Sequence, residues 1–220
     1  MKNTRLVLVV VVAALVLMGA GYAAWTQTFS IQSTVSTGEL FVKVSEGEHK
    51  VEIENVDGEI APGETENFLE FSELHTETTT DKSGDITTLT ELKFTLEGMY
   101  PGVKQTSVLK FQNLGTLKTV TELNGSPSYE GDITLLDKLD IRVNEGSLIS
   151  GNGAEKLNNL AEAIRAAVGE LDLEDLKTVT VVIELPLKEN ETDNSAEGLS
   201  LTWEIPLIFE QYNANNNTQS

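Results

Sequence analysis

The chain has 220 residues, with 15 Lys+Arg against 35 Asp+Glu, a formal net charge of −20, 40% apolar residues and no cysteine. That apolar content suits a packed core and excludes wholesale disorder, and the length suits one large β domain or two small ones. The charge makes nucleic acid a poor partner and disfavours anionic membrane surfaces, and the missing cysteines remove disulfides, thiolate zinc sites and thiol nucleophiles together.

The N-terminus reads as a targeting segment. Lys2 and Arg5 precede an unbroken apolar run, Leu6–Met18, and then the small-residue junction Gly19-Ala20-Gly21-Tyr22-Ala23-Ala24. This is the order of a secretory signal, with Gly21 and Ala23 at the −3 and −1 places and the cut between Ala23 and Ala24. Removing residues 1–23 takes two positive charges and leaves −22. An uncut membrane anchor is the other reading, since Leu6 to Trp25 carries no charge over about the ~20 residues a bilayer requires. Either way the bulk of the chain is expected outside the cytoplasm, touching membrane only through this segment.

Residues 24–36 follow as AWTQTFSIQSTVS. Trp25, Phe29, Ile31 and Val35 share one face, with Gln27 and Ser33 between them, and the even positions are mostly polar. Period-two alternation of this kind predicts a strand. A terminal strand alone leaves its backbone groups and one apolar face without partners, so it must join a sheet, its own or a neighbour's.

Further along, Thr37-Gly38 reads as a turn. Glu39–Ser45 is expected as a strand with Leu40, Val42 and Val44 on one face, and Lys50–Asn55 as another with Val51 and Ile53. Glu64–Thr88 is dense in Glu and Thr around Phe68, Leu69 and Phe71; it reads as an edge strand or short helix leading into a solvated loop over Glu77–Thr87. Glu91–Glu97 alternates with Leu92, Phe94 and Leu96 inward, Ser107–Asn113 presents Leu109 and Phe111, and Leu117–Leu123 continues after a turn at Asn113–Thr116. Lys138–Asn144 carries Leu139, Ile141 and Val143.

One helix interrupts the strands. Over Ala154–Val168, Leu157, Leu160, Ala161, Ile164, Ala167 and Val168 recur at three- and four-residue steps, between an N-cap at Asn152 and a stop at Gly169. Lys177–Leu185 and Leu199–Phe209 close the domain. Pro206 in the latter has no amide donor, which predicts an edge strand or a bend there. Together these elements predict a mainly β fold, a jelly-roll-type β-sandwich with one inserted α-helix at about residues 154–168. The expected division is 1–23 signal peptide, 24–36 N-terminal strand, 37–212 β-sandwich domain and 213–220 polar, disordered tail.

Enzyme signatures are mostly missing. His49 and His75 stand apart in polar surroundings, without the HExxH spacing that sets two zinc ligands on one helix face, and there is no GxSxG, Walker or GxGxxG motif. No catalytic residue is assigned and no cofactor is expected. The acidic exterior attracts cations, calcium among them, but no spacing identifies a metal site. Asn124, Asn190 and Asn216 begin N-x-Ser/Thr triplets in expected loops or the tail and are candidate glycan acceptors.

Two stretches carry a family resemblance. GYAAWTQTFSIQSTVSTGEL, with Thr37-Gly38-Glu39-Leu40 after the aromatic strand, resembles the start of the camelysin/TasA family of secreted fibre proteins. YPGVKQTSVLKFQNLGTL, with Pro101-Gly102 and then Asn113-x-Gly115-Thr116-Leu117, is similar to that family's turn–strand–turn segment; WEIPLIFEQYNA is loosely similar to its last strand. The resemblance extends to archaeal bundling-pilus subunits and covers about a third of the chain. It implies a filament subunit that polymerises with copies of itself by donor-strand complementation, with Trp25, Phe29, Ile31 and Val35 entering the next subunit, and neighbouring filaments as further partners in bundles. The competing expectations are a monomeric, membrane-anchored surface β domain and a secreted hydrolase.

Overall fold

Strand-forming patterns dominate the chain, and the molecule they build is mainly β, in two antiparallel sheets. The computed structural model describes residues 38–54, 60–62, 68–80, 86–187 and 199–212. The strands are β1 (Val42–Glu54), β2 (Ile60–Pro62), β3 (Leu69–Thr80), β4 (Ile86–Glu97), β5 (Val103–Asn113), β6 (Thr119–Leu123), β7 (Ser128–Gly131), β8 (Asp140–Val143), β9 (Glu170–Leu171), β10 (Leu176–Glu184) and β11 (Ser200–Gln211). Two helices join them: α1 (Leu135–Lys138) before β8 and α2 (Gly153–Val168) after it. One layer runs β2-β1-β5-β10-β8. The other runs β3-β4-β11-β6-β9, with β7 also paired to β11.

Alternation decides which side chains meet between the layers. β5 turns Val103, Leu109 and Phe111 inward, and β11 turns Leu201, Trp203, Ile205, Leu207 and Phe209 inward; all are buried. Phe94 of β4 stacks on Trp203 with centroids 5.4 Å apart, and Phe71 of β3 tilts onto Phe94 at 5.5 Å. Burial of side chains this size stabilises by about 1.5–3 kcal/mol each.

Three sequence expectations change. The two strands expected over Glu39–Ser45 and Lys50–Asn55 are one strand, β1, whose pairing with β5 shifts register between Glu46 and His49. The polar run Glu46–His49 is a bulge in a continuous ladder, not a break between ladders. The solvated loop expected over Glu77–Thr87 is strand at its described residues: β3 and β4 pair from Leu69↔Leu96 to Thr80↔Ile86, and residues 81–85 lie outside the described residues. Threonine, β-branched, suits a strand, so a run rich in it does not mark a loop, and Thr88 and Thr90 are buried on the inward phase of β4. Finally, β11 is an interior strand, paired to β4 on one side and to β6 and β7 on the other. Pro206 is tolerated because the second side is interrupted there. β7 pairs up to Glu204 and β6 begins at Leu207. The Pro206 carbonyl accepts from Asn124 N at 3.0 Å on that side, so its ring nitrogen faces the same gap and no ladder bond is lost.

α2 buries Leu157, Leu160, Ala161, Ile164 and Val168. Its first amide, Gly153 N, donates to Asp137 Oδ1 at 2.5 Å, which puts a carboxylate on the positive end of the helix. At the other end Lys177 Nζ donates to Val168 O at 2.8 Å, and Gly169, at φ +56°, ends the helix by donating to Arg165 O.

Candidate functional site: an open side between the two layers

Two layers have two lateral sides. On one side α2 packs against β6 of one layer and β8 and β10 of the other, closing the core. Lys156 fixes it: the side chain is buried and its Nζ donates to Leu139 O, beside α1. Burial pushes this ammonium below the ordinary lysine range, against the opposing pull of Asp140 and Asp137. Arg165 holds the outer face through Glu122 at 3.2 Å and Glu162 at 2.9 Å.

On the opposite side β1 and β3 face each other across the layers as edge strands. Among the described residues β2 covers β1 only at Glu52–Glu54, and nothing pairs with Val42–Val51 on its outer edge. Here the backbone direction can be read. Phe41 O accepts from Leu114 N and Gly115 N, and Asn113 N donates to Asp175 O on the far side. Val42↔Asn113 is therefore a non-hydrogen-bonded pair, and by alternation so is Val44↔Phe111. The amides and carbonyls of Val42 and Val44 point out of the layer, along the open side, while their side chains sit in the core.

The edge of β3 differs. Gln105, buried on the inner face of β5, reaches across the core to it. Its Oε1 accepts from Phe68 N at 2.8 Å and Leu69 N at 3.0 Å, and its Nε2 donates to Leu69 O at 3.1 Å and Ser107 Oγ at 3.0 Å. The first outward-pointing groups of β3 are thus satisfied from within, and the two layers are tied there. Phe68 packs edge-on against Tyr100 at 5.7 Å over the same corner.

At the other end the chain enters β1 through a fixed turn. Asn113 Nδ2 donates to Leu117 O at 2.8 Å, Asp172 O at 3.1 Å and Leu171 O at 3.3 Å, while Asn113 Oδ1 accepts from Gly115 N at 3.0 Å. The turn it shapes grips the chain ahead of β1: Thr116 N donates to Glu39 O at 2.7 Å and Glu39 N to Thr116 Oγ1 at 2.8 Å. Gly115 passes under this join, where an added Cβ would lie 2.3 Å from Glu39 O. The Asn-x-Gly-Thr-Leu segment thus holds Gly38 and Glu39 in place at the open side.

Trp25, Phe29, Ile31 and Val35, the Ala23–Ala24 junction, the polar tail, Asn190 and Asn216 lie outside the described residues. Asn124 is exposed in the loop between β6 and β7, and His49 is exposed at the β1 bulge. Among the described residues no three His, Asp or Glu side chains gather closely enough to hold a metal ion. Sequence marks Asn113 only as the start of a turn and of the Asn-x-Gly-Thr-Leu segment, and does not single out Gln105. Both sit on the buried phase of β5 beside Val103, Leu109 and Phe111, where an amide side chain asks for partners.

The class of protein defined here is a two-layered antiparallel β fold, closed along one side by a helix and presenting a bare strand edge along the other among the described residues. No family model matches this chain, and neither a curated protein nor a solved structure matches it.

Proposed function

We propose that this chain is a secreted structural subunit of an extracellular filament, polymerising head-to-tail by donor-strand complementation, as its resemblance to the camelysin/TasA family implies. In this reading residues 1–23 are removed, the sandwich is of jelly-roll type, and Ala24–Val35 leaves its own subunit to pair with β1 of the next. The observation that carries it is the outward-pointing backbone of Val42 and Val44 along an edge left bare among the described residues. The chain's repeated crossing between layers suits the jelly-roll assignment.

The energetics agree in direction. The 12 residues Ala24–Val35 span roughly 36 Å when extended and supply a ladder of backbone bonds. Trp25, Phe29 and Ile31, at about 1.5–3 kcal/mol each on burial, offset much of the ordering cost. A head-to-tail contact that does not close on itself grows into a filament and not a ring. Electron microscopy of the mature chain tests this against a chain lacking Ala24–Val35. Filaments are expected from the first, and a soluble, non-polymerising protein from the second. Monomers alone from the mature chain, at high concentration and with added calcium, sink the reading and favour the surface-domain alternative. N-terminal sequencing of cell-surface material, showing an intact leader, does the same for cleavage.

A further inference from the structure

The outer faces of the two layers carry unequal charge: one is strongly acidic and the other mixes both signs. On β4, β11 and β6 the outward positions include Glu91, Glu97, Glu122, Glu204 and Glu210, with Lys93 as the one cation. Lys93 is engaged with Glu204 at 3.3 Å and Arg165 with Glu122 at 3.2 Å, whereas Glu91 and Glu210 have no ion pair among the described residues. On the other layer the outward positions of β1, β5, β10 and β8 carry Lys43, Lys50, Lys104, Lys110 and Arg142, against Glu52, Glu54, Asp140 and Glu184. Glu46 and Glu48 stand on the bulge at that layer's edge. Lys50 and Lys104 share Glu52, while Lys43 and Lys110 form no ion pair among the described residues.

In a chain of net charge −20, a face with two uncommitted ammonium groups is the exception. These two also flank exposed apolar side chains. Phe41 and Leu114 lie one step beyond the Val42↔Asn113 pair, and Leu176 stands opposite Gln112; they are 40%, 49% and 54% exposed. Lys43 is opposite Gln112 on β1, and Lys110 is two residues before it on β5. The acidic face sets carboxylates about a half-buried apolar pair. Leu89 and Ile208 pair on it beside Pro206, and Glu91 and Glu210 stand one position to either side.

We propose that the patch of Phe41, Leu114 and Leu176 with Lys43 and Lys110 docks on the outer face of β4 and β11 of a second copy of this chain, around Leu89 and Ile208 with Glu91 and Glu210. The contact is heterologous: each copy offers a different face, so every pair leaves one of each unused and the association is open-ended. Apolar centres exclude water while the flanking charges set orientation and suppress like-face pairing. The contact stands on the charge and burial of these two faces alone and does not require the N-terminal strand.

A zero-length carbodiimide cross-linker tests it on the full mature chain, mixed from 14N- and 15N-labelled preparations. The expected products are amides from Lys43 or Lys110 to Glu91 or Glu210, joining a light copy to a heavy one. Within one copy these groups lie on opposite outer faces of two layers about 10 Å apart, beyond a zero-length bond. Raising salt to about 1 M, where the screening length is ~3 Å, should suppress the products. Lys43→Glu with Lys110→Glu should abolish the amides at Glu91 and Glu210, and mixing that variant with Glu91→Lys, Glu210→Lys should restore copy-to-copy amides of reversed sense, from the amines now at positions 91 and 210 to the carboxylates now at 43 and 110. All four side chains project from outer faces, and unchanged thermal unfolding checks that each variant folds. Cross-links between other positions, none between copies, or no restoration by the reversed pair overturns the contact. Filaments are scored separately by microscopy, so a chain that cross-links as expected but forms none loses only the donor-strand reading.

Discussion

Asn113 spends a buried amide on four backbone groups, and its chemistry makes a sharp test. Asn113→Ala leaves the carbonyls of Leu117, Leu171 and Asp172 without that donor, a loss of about 2–3 kcal/mol. Asn113→Asp goes further, because it sets a carboxylate against carbonyl oxygens. Burial and those dipoles raise the new group's folded pKa above its unfolded value of about 3.9. A raised acid costs least when both states are protonated, so the deficit against the parent should be small below that pH and grow as pH climbs through the folded value. Urea unfolding of both chains across the acid range reads this; a deficit that shrinks with rising pH contradicts the hydrogen-bond directions. Gln105→Leu is the companion case. It keeps the volume and leaves Phe68 N, Leu69 N and Leu69 O without the amide that now answers them. A loss of about 3 kcal/mol or more is expected in the same unfolding assay. Strand alternation already placed Gln105 and Asn113 inward, on the phase of Leu109 and Phe111. Asn113 shapes its own turn through Leu117 and Gly115, but the ties that fix each across the fold, Gln105 to Leu69 and Asn113 to Asp172, span 36 and 59 residues, which no local pattern records.

Single elements were legible where one period ran long. The stripe from Leu157 to Val168 stands out because its large apolar residues fall on one face, and the structure has a helix at Gly153–Val168. The odd positions of Leu199–Phe209 likewise mark the inward face of β11. Pro206 misled because its tolerance depends on where two other strands stop, which no local pattern records. β1 misled because a bulge and a turn look alike when both are polar. The helix carries its own test through Lys156. Its folded pKa is lowered by burial, so between that value and the unfolded one, about 10.4, the unfolded chain holds a proton the folded chain does not. Stability from this group therefore rises with pH across that alkaline window. Lys156→Met removes the titration along with the bond to Leu139 O. The stability difference, parent minus variant, should increase over the window; a flat difference means the ammonium is not desolvated when folded.

At the scale of the whole molecule the two lateral sides are unequal among the described residues, and the proposed strand addition rests on that inequality. α2 fills one side. On the other, β3 begins with its outward groups answered by Gln105, while Val42 and Val44 of β1 point theirs outward. A proline tests this edge because it deletes one donor and little else. In Val44→Pro the lost N–H is one that β5 does not use, and the ring is close to valine in size. The isolated subunit should lose only about 1–2 kcal/mol, from packing and the fixed φ. An incoming strand loses a ladder bond and meets the ring where it must approach most closely. Filament growth should then slow, or need a higher concentration to begin, with thermal unfolding of the subunit little changed. The contrasting variant is Lys43→Pro, whose lost N–H points into the β5 ladder; it should destabilise the subunit itself. If Val44→Pro unfolds the subunit as badly as Lys43→Pro does, the outer edge of β1 is engaged within its own molecule and is not the place where a neighbour is received.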